Sequence, residues 1–270
     1  GNGYLGIRNA LEEHYVGEIR DTFITGTFNK ASKEEVTELP NIADASAVKI
    51  IVNGEEFSLT EGKISSYERS LDLTTGESTR IVKWESPKGI KLNLVFRRFV
   101  SLDNEHIFVQ KVELLCNQDA NIIIESGIDG SVTNSGVMHF EDIQRRVYDG
   151  KYMEYIAKTT QSHVKVIQGA VCSLNKEAFV IPVMGRRTLA NRYSLKINAN
   201  EKLEFEKKSV FFSERDKEYA HLKVEKRLDE IKKESAKLIR ELESQSYNEL
   251  FKRSEAKWQD YFEKSKIDIG

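Results

Sequence analysis

The sequence predicts a mainly β fold, a large many-stranded antiparallel β-sandwich (a supersandwich) followed by a two-helix linker, and three observations carry that expectation. Short runs in which apolar and polar residues alternate fill the chain from Gly1 to about Ser213. Turn signals built from Gly, Asn, Pro and Thr separate those runs at roughly eight- to twelve-residue spacing, the rhythm of an antiparallel sheet. After Ser213 the pattern turns to charged amphipathic helix. The expected organisation is a β-sandwich over 1–215 and a helical linker over 216–270.

The chain opens with Gly1, Gly3 and Gly6 spaced as G-x-G-x-x-G. A dinucleotide-binding loop needs a strand before it and a helix after it, so that backbone N–H groups point at phosphate. No strand stands before Gly1 in this sequence, and 9–15 is a short helical stretch at most. The reading is therefore a tight turn ahead of an edge segment.

Val48 to Val52, Asn53-Gly54 and Glu55 to Leu59 form the clearest hairpin, because Asn-Gly supplies the two positive φ angles of a type I′ turn. Strands are then expected over 63–73 and 78–84, joined by Thr74-Thr75-Gly76-Glu77, with Ser86-Pro87-Lys88-Gly89 as the next turn. Ile90, Leu92, Leu94 and Phe96 share one face of the following strand, which marks that face as buried. Further strands are expected over 105–115, 120–126, 151–159, 163–173, 178–183, 193–197 and 201–212. Without α/β alternation, a doubly wound sheet is not expected.

Val224, Leu228, Ile231, Leu238 and Leu242 recur as a single helical stripe, interrupted by serine at 235. Such a helix must rest on another surface; a free coiled coil would need a longer repeat. Ser246-Tyr247-Asn248-Glu249 has the capping-box pattern that restarts a second helix, expected to turn Leu250, Phe251, Trp258 and Phe262 inward. Ile267-Asp268-Ile269-Gly270 reads as the start of a new strand or turn, and the missing initiator methionine suggests an excerpt of a longer protein.

Composition narrows the function. With 41 Lys and Arg against 43 Asp and Glu, the net charge of −2 supplies no basic field for nucleic acid. No apolar run approaches a membrane span, and the cytoplasm is the expected compartment. Cys116 and Cys172 sit in separate strand-like runs and read as buried thiols.

The chemistry-bearing residues are sparse. Glu125 and Asp129 are the nearest approach to the paired carboxylates of glycoside chemistry, although a carboxylate in such a Gly-rich segment usually accepts backbone N–H bonds. His14, His106, His139, His163 and His221 never fall at metal-ligand spacing. Arg97-Arg98 places one guanidinium on each side of a sheet, to hold an anion or, more commonly, a structural ion pair. Tyr4, Phe23, Phe28, Tyr67 and Trp84 would stack on sugar rings if exposed and pack a core otherwise. The sequence thus nominates no catalytic residue, no metal ligand, no substrate-binding residue and no cofactor.

Several blocks, taken in order, resemble the N-terminal part of glycoside hydrolase family 65, the maltose, kojibiose, nigerose and trehalose phosphorylases and their hydrolytic relatives. They are Gly1 to Arg8, Thr25 to Asn29, Glu38 to Asn41, Asn53 to Glu55, Arg69 to Leu73 and Phe96 to Ser101, then Ser126 to Gly130, Val132 to Asn134, and Trp258 with Phe262 and Ile267 to Ile269. Phe262 stands where the family often has a second tryptophan, and Ser254 where a histidine is common.

The resemblance implies an N-terminal sandwich and linker ahead of a catalytic (α/α)6 barrel on the same chain. It implies a parent enzyme that cleaves an α-linked glucose disaccharide with inorganic phosphate as co-substrate, inverting the anomeric centre to release β-glucose 1-phosphate. A single barrel glutamic acid would protonate the leaving oxygen while phosphate attacks directly. The present segment would then support the barrel and aid a homodimer. An independent carbohydrate-binding module, or a hydrolytic parent, is the alternative. Burial of Trp258 against sandwich or barrel would make Trp258→Ala cost about 3–5 kcal/mol.

Overall fold

The computed structural model describes residues 1–8 and 10–265. The strands run β1 (Leu5–Ile7), β2 (Thr22–Ile24), β3 (Val48–Val52) and β4 (Glu55–Glu56), then the meander β5 (Lys63–Leu71), β6 (Ser78–Glu85), β7 (Lys91–Val100) and β8 (Ile107–Cys116). They continue with β9 (Ala120–Asp129), β10 (Phe140–Tyr148), β11 (Tyr152–Thr159), β12 (Lys165–Leu174), β13 (Phe179–Met184), β14 (Thr188–Ile197) and β15 (Lys202–Ser213). A 3-10 turn (Lys217–Tyr219) leads to α1 (Val224–Glu243) and α2 (Tyr247–Ser265). The Ile267 to Gly270 segment lies outside the described residues.

An eight-stranded sheet of order β10-β11-β12-β15-β8-β7-β6-β5 faces a five-stranded sheet of order β13-β14-β9-β3-β4, and β1-β2 forms a small ribbon beside them. Every neighbour pair along the large sheet is antiparallel, which is the sandwich that alternation and turn spacing imply. At the β3–β4 hairpin, Asn53 and Gly54 take φ of 46° and 83°, the type I′ pair. The paired arm covers Glu55 and Glu56, with the Phe57 N–H still reaching the Ile50 carbonyl at 2.9 Å, so it is shorter than the expected run to Leu59.

Two cores share the large sheet. Between the sheets, Phe57, Trp84, Leu94, Phe96, Ile122, Ile124 and Phe205 are fully buried, each worth about 1.5–3 kcal/mol of removed apolar surface. Ile90, Leu92, Leu94 and Phe96 share this inner face as their spacing requires. On the outer face, Ile156, Ile167, Val171, Val210 and Phe212 meet Ile231, Ile239 and Leu242 of α1 and Tyr247 and Leu250 of α2. The amphipathic helix therefore rests on the sheet, and β12 and β15 are buried on both faces.

The buried stripe of α1 differs in detail from the expected one. Val224 is 60% exposed, while Ile239, Ser235 and Leu242 face the sheet. Serine at 235 follows from backbone proximity: a Cβ on Gly169 of β12 would stand 3.2 Å from Ser235 Oγ, so α1 crosses the sheet where neither side has room for a large side chain. In α2 the inward residues are Tyr247, Leu250 and Ser254, whereas Phe262 is 43% exposed. Phe262 belongs to the last turns of α2, where residues 259–265 are all exposed.

Residues 10–15 form no helix; they are irregular backbone whose Glu12 and Glu13 enter the interior.

Candidate functional site

The carboxylate candidates are separated by the strand that carries them. Glu125 and Asp129 lie on one side of β9 along a cleft of about 280 Å³. Four residues of extended chain put their α-carbons roughly 13 Å apart. Each is also engaged: Glu125 pairs with Arg192 across β14 at 2.8 Å, and Asp129 accepts the Ser131 N–H at 2.8 Å. Both carboxylates are thus held by partners within the sandwich.

Arg97 and Arg98 point to opposite sides of β7, as the alternation requires. Arg97 is half-exposed and 3.6 Å from Glu77. Arg98 is buried, donates to the Ala10 carbonyl and lies 3.3 Å from Glu12; burial lowers its pKa despite Glu12. Around it, Arg80 pairs with Glu12 at 2.6 Å and also holds Glu13, and Arg20 pairs with Asp44 at 2.9 Å. Burial alone would raise the Asp44 pKa, yet Arg20 and the Ser46 hydroxyl and N–H hold it below the usual carboxylate range. This network pins the irregular N-terminal segment to the sandwich. Sequence reasoning missed Glu12, Glu13, Arg20, Arg80 and Asp44, because partners such as Arg80 for Glu13, 67 residues away, come from distant segments of the chain.

The other quoted blocks are locks of the same kind. Asn2 accepts the Tyr4 and Leu5 N–H groups and donates to the Ser101 carbonyl at 2.7 Å. Asn29 donates to His139, which is 2.9 Å from Glu38; Asn134 donates to Glu38 and accepts the Asn41 N–H. These polar residues fasten long loops to one another.

Where α2 leaves the sheet, the surface differs. Trp258 packs on the β5–β6 turn at Gly76, whose φ is +73°; a Cβ there would stand 2.6 Å from the indole Nε1. That nitrogen is buried without a hydrogen-bond partner among the described residues. Beside the contact, Tyr247 donates to Glu77 at 2.8 Å, and the buried Ser254 hydroxyl accepts the Leu102 N–H at 3.0 Å. Leu71, Leu73, Tyr261 and Phe262 around this corner are 43–69% exposed. An apolar patch next to an orphaned indole N–H is suited to docking against another protein surface.

The histidines divide by burial: His14, His163 and His221 are exposed, while His106 and His139 are buried. His106 meets Glu105 and Glu218 at the start of the 3-10 turn, a grouping that local spacing hides. Tyr4 and Trp84 pack the core, and the exposed Phe28 and Tyr67 belong to different elements, so these aromatics make no sugar-binding row.

Comparison with known proteins decides the lineage. The profile of glycosyl hydrolase family 65, N-terminal domain, matches residues 1–261. The chain belongs to this family. A kojibiose phosphorylase of Halothermothrix orenii is 37% identical over 278 residues, covering 100% of this chain and 35% of the relative. One of Escherichia coli is 30% identical with the same coverage of 100% and 35%. A solved structure assigned as a kojibiose phosphorylase from the human microbiome superposes with a TM-score of 0.84 over 97% of this chain and 35% of its own, at 18% identity, which shows the shared fold. The chain thus spans about a third of the length of these relatives, as the N-terminal part of family 65 disaccharide phosphorylases. None of its described helices is long and apolar enough to cross a membrane.

Proposed function

We propose that this chain is the N-terminal supporting domain of a cytoplasmic α-glucobiose phosphorylase, with the sandwich over 1–215 and a linker over 216–270 that carries a catalytic barrel on the same polypeptide. The observation that carries this reading is the corner at Trp258, where Leu71, Leu73, Tyr261 and Phe262 leave an apolar surface uncovered beside the end of α2. A barrel following α2 would cover it.

In the parent enzyme the chemistry belongs to the barrel: an acid protonates the glycosidic oxygen, and inorganic phosphate attacks the anomeric carbon from the opposite face to give β-glucose 1-phosphate. The present domain buttresses that barrel and shapes its mouth. The wide separation of Glu125 and Asp129, each already engaged, supports placing the reaction elsewhere. Incubating the full-length polypeptide with kojibiose, nigerose, trehalose and maltose, with and without phosphate, tests the assignment. Phosphate-dependent release of β-glucose 1-phosphate from one of them is expected; hydrolysis that ignores phosphate would make the parent a hydrolase.

A homodimer contact is the second proposed role, favoured by the edge strand β13, where Phe179, Ile181 and Met184 are 43–69% exposed. Light scattering should find the full-length protein dimeric and its Ile181→Lys variant monomeric. A dimeric variant would remove this strand from the interface.

A further inference from the structure

Glu105 and His106 end the β7–β8 turn, and Glu218 lies in the 3-10 turn after β15, more than a hundred residues further along the chain. One ligand atom from each gathers so that all three lie within 4.8 Å of one another. The imidazole is the fixed member. His106 is 9% exposed, its ring stacks on Phe212 at 4.2 Å, and Tyr4 meets it edge-on at 4.7 Å.

The hydrogen bonding of His106 selects its tautomer. Nδ1 is 2.7 Å from the Phe211 carbonyl, which only accepts, so Nδ1 carries the proton. Nε2 has no hydrogen-bond partner among the described residues. A backbone carbonyl holding one ring nitrogen while the other faces the ligand is the arrangement that orients a metal-bound histidine. No ion pair within 4.0 Å joins His106 to either glutamate, so the three groups are gathered without satisfying one another. A cation with ligand distances of roughly 2.0–2.2 Å would bridge them after a small closure.

Donor chemistry selects the ion. One imidazole nitrogen with two carboxylates suits a borderline transition metal, whereas Mg²⁺ and Ca²⁺ prefer all-oxygen sets. The adjacent Asp216 is already engaged, accepting from Tyr4 at 2.9 Å and from the Ser213 N–H at 2.8 Å. It therefore does not compete as a ligand. Because Glu105 and Glu218 are exposed, remaining coordination positions would be filled by water.

We propose that Glu105, His106 and Glu218 bind one divalent transition-metal ion of the Zn²⁺ class, which clasps the β7–β8 turn to the start of the helical linker. The ion's role is structural: it ties the last strand's exit to the sandwich just before α1.

Calorimetric titration of the full-length protein, freed of any polyhistidine tag and treated with a chelator, with ZnCl2 and separately with MgCl2, tests this. The expected result is saturable one-to-one Zn²⁺ binding, with no Mg²⁺ binding at the same concentrations. Glu105→Gln with Glu218→Gln, both at exposed positions, should weaken Zn²⁺ at least tenfold, about 1.4 kcal/mol, while the circular dichroism spectrum stays unchanged. Absence of saturable binding, or binding that survives the double substitution unchanged, would overturn the proposal.

Discussion

Lys207 is fully buried between the sheets, donating to the Ala45 and Gly127 carbonyls and to Ser126 Oγ. Burial pushes its pKa down to about 8 from 10.5. Between those values the unfolded chain binds more protons than the folded one, so this group makes stability rise with pH across that window. In urea melts, the advantage of wild type over Lys207→Met should therefore grow from pH 8 towards 10.5; a constant difference would contradict it. Trp258 touches Gly76 but stays partly exposed. In the chain by itself we therefore expect Trp258→Ala to cost about 2–3 kcal/mol, below the range that full burial implies. A change under about 0.5 kcal/mol in denaturant melts would mean that the contact does not form. Sequence reading separated the roles of Arg97 and Arg98, because strand alternation is local. It missed Glu12, Arg20 and Lys207, since a buried charge is recognised only by a partner that folding brings from a distant segment.

The capping box at the start of α2 is made as the sequence indicates: Glu249 accepts the Ser246 N–H at 2.7 Å, and Ser246 Oγ accepts the Glu249 N–H at 3.3 Å. Ser246→Ala should cost about 1 kcal/mol, measured by thermal or urea unfolding, and Ser246→Asp much less. Ser235→Leu, which would complete the apolar stripe of α1, should instead destabilise by about 1–3 kcal/mol, because the helix crosses Gly169 closely there. A stabilised variant would show slack in that crossing. Elements with a strong period or a distinctive turn were legible: the Asn53-Gly54 hairpin, the β7 face, both helices. The β10 strand was not. It is a charged edge strand whose register shifts between Asp142 and Gln144, which breaks its alternation. The three-residue strands β1 and β2 are too short to show any period.

The architecture was readable because a sandwich announces itself through many turns, while family membership rested on an ordered set of short polar blocks. The structure explains why those blocks are informative: Asn2, Asn29, Glu38, Asn41, Arg98 and Asn134 lock loops in place. What the sequence left open was the surface. The corner at Trp258 draws on β5, the β5–β6 turn and the far end of α2, and only their juxtaposition reveals it. Leu73→Asp with Phe262→Asp should leave the fold of this chain intact yet lower the thermal stability of the full-length protein. The chain alone, supplied with kojibiose and phosphate and assayed for β-glucose 1-phosphate, provides the most direct measurement. A supporting domain releases none, and phosphate-dependent turnover by these residues alone would contradict the account.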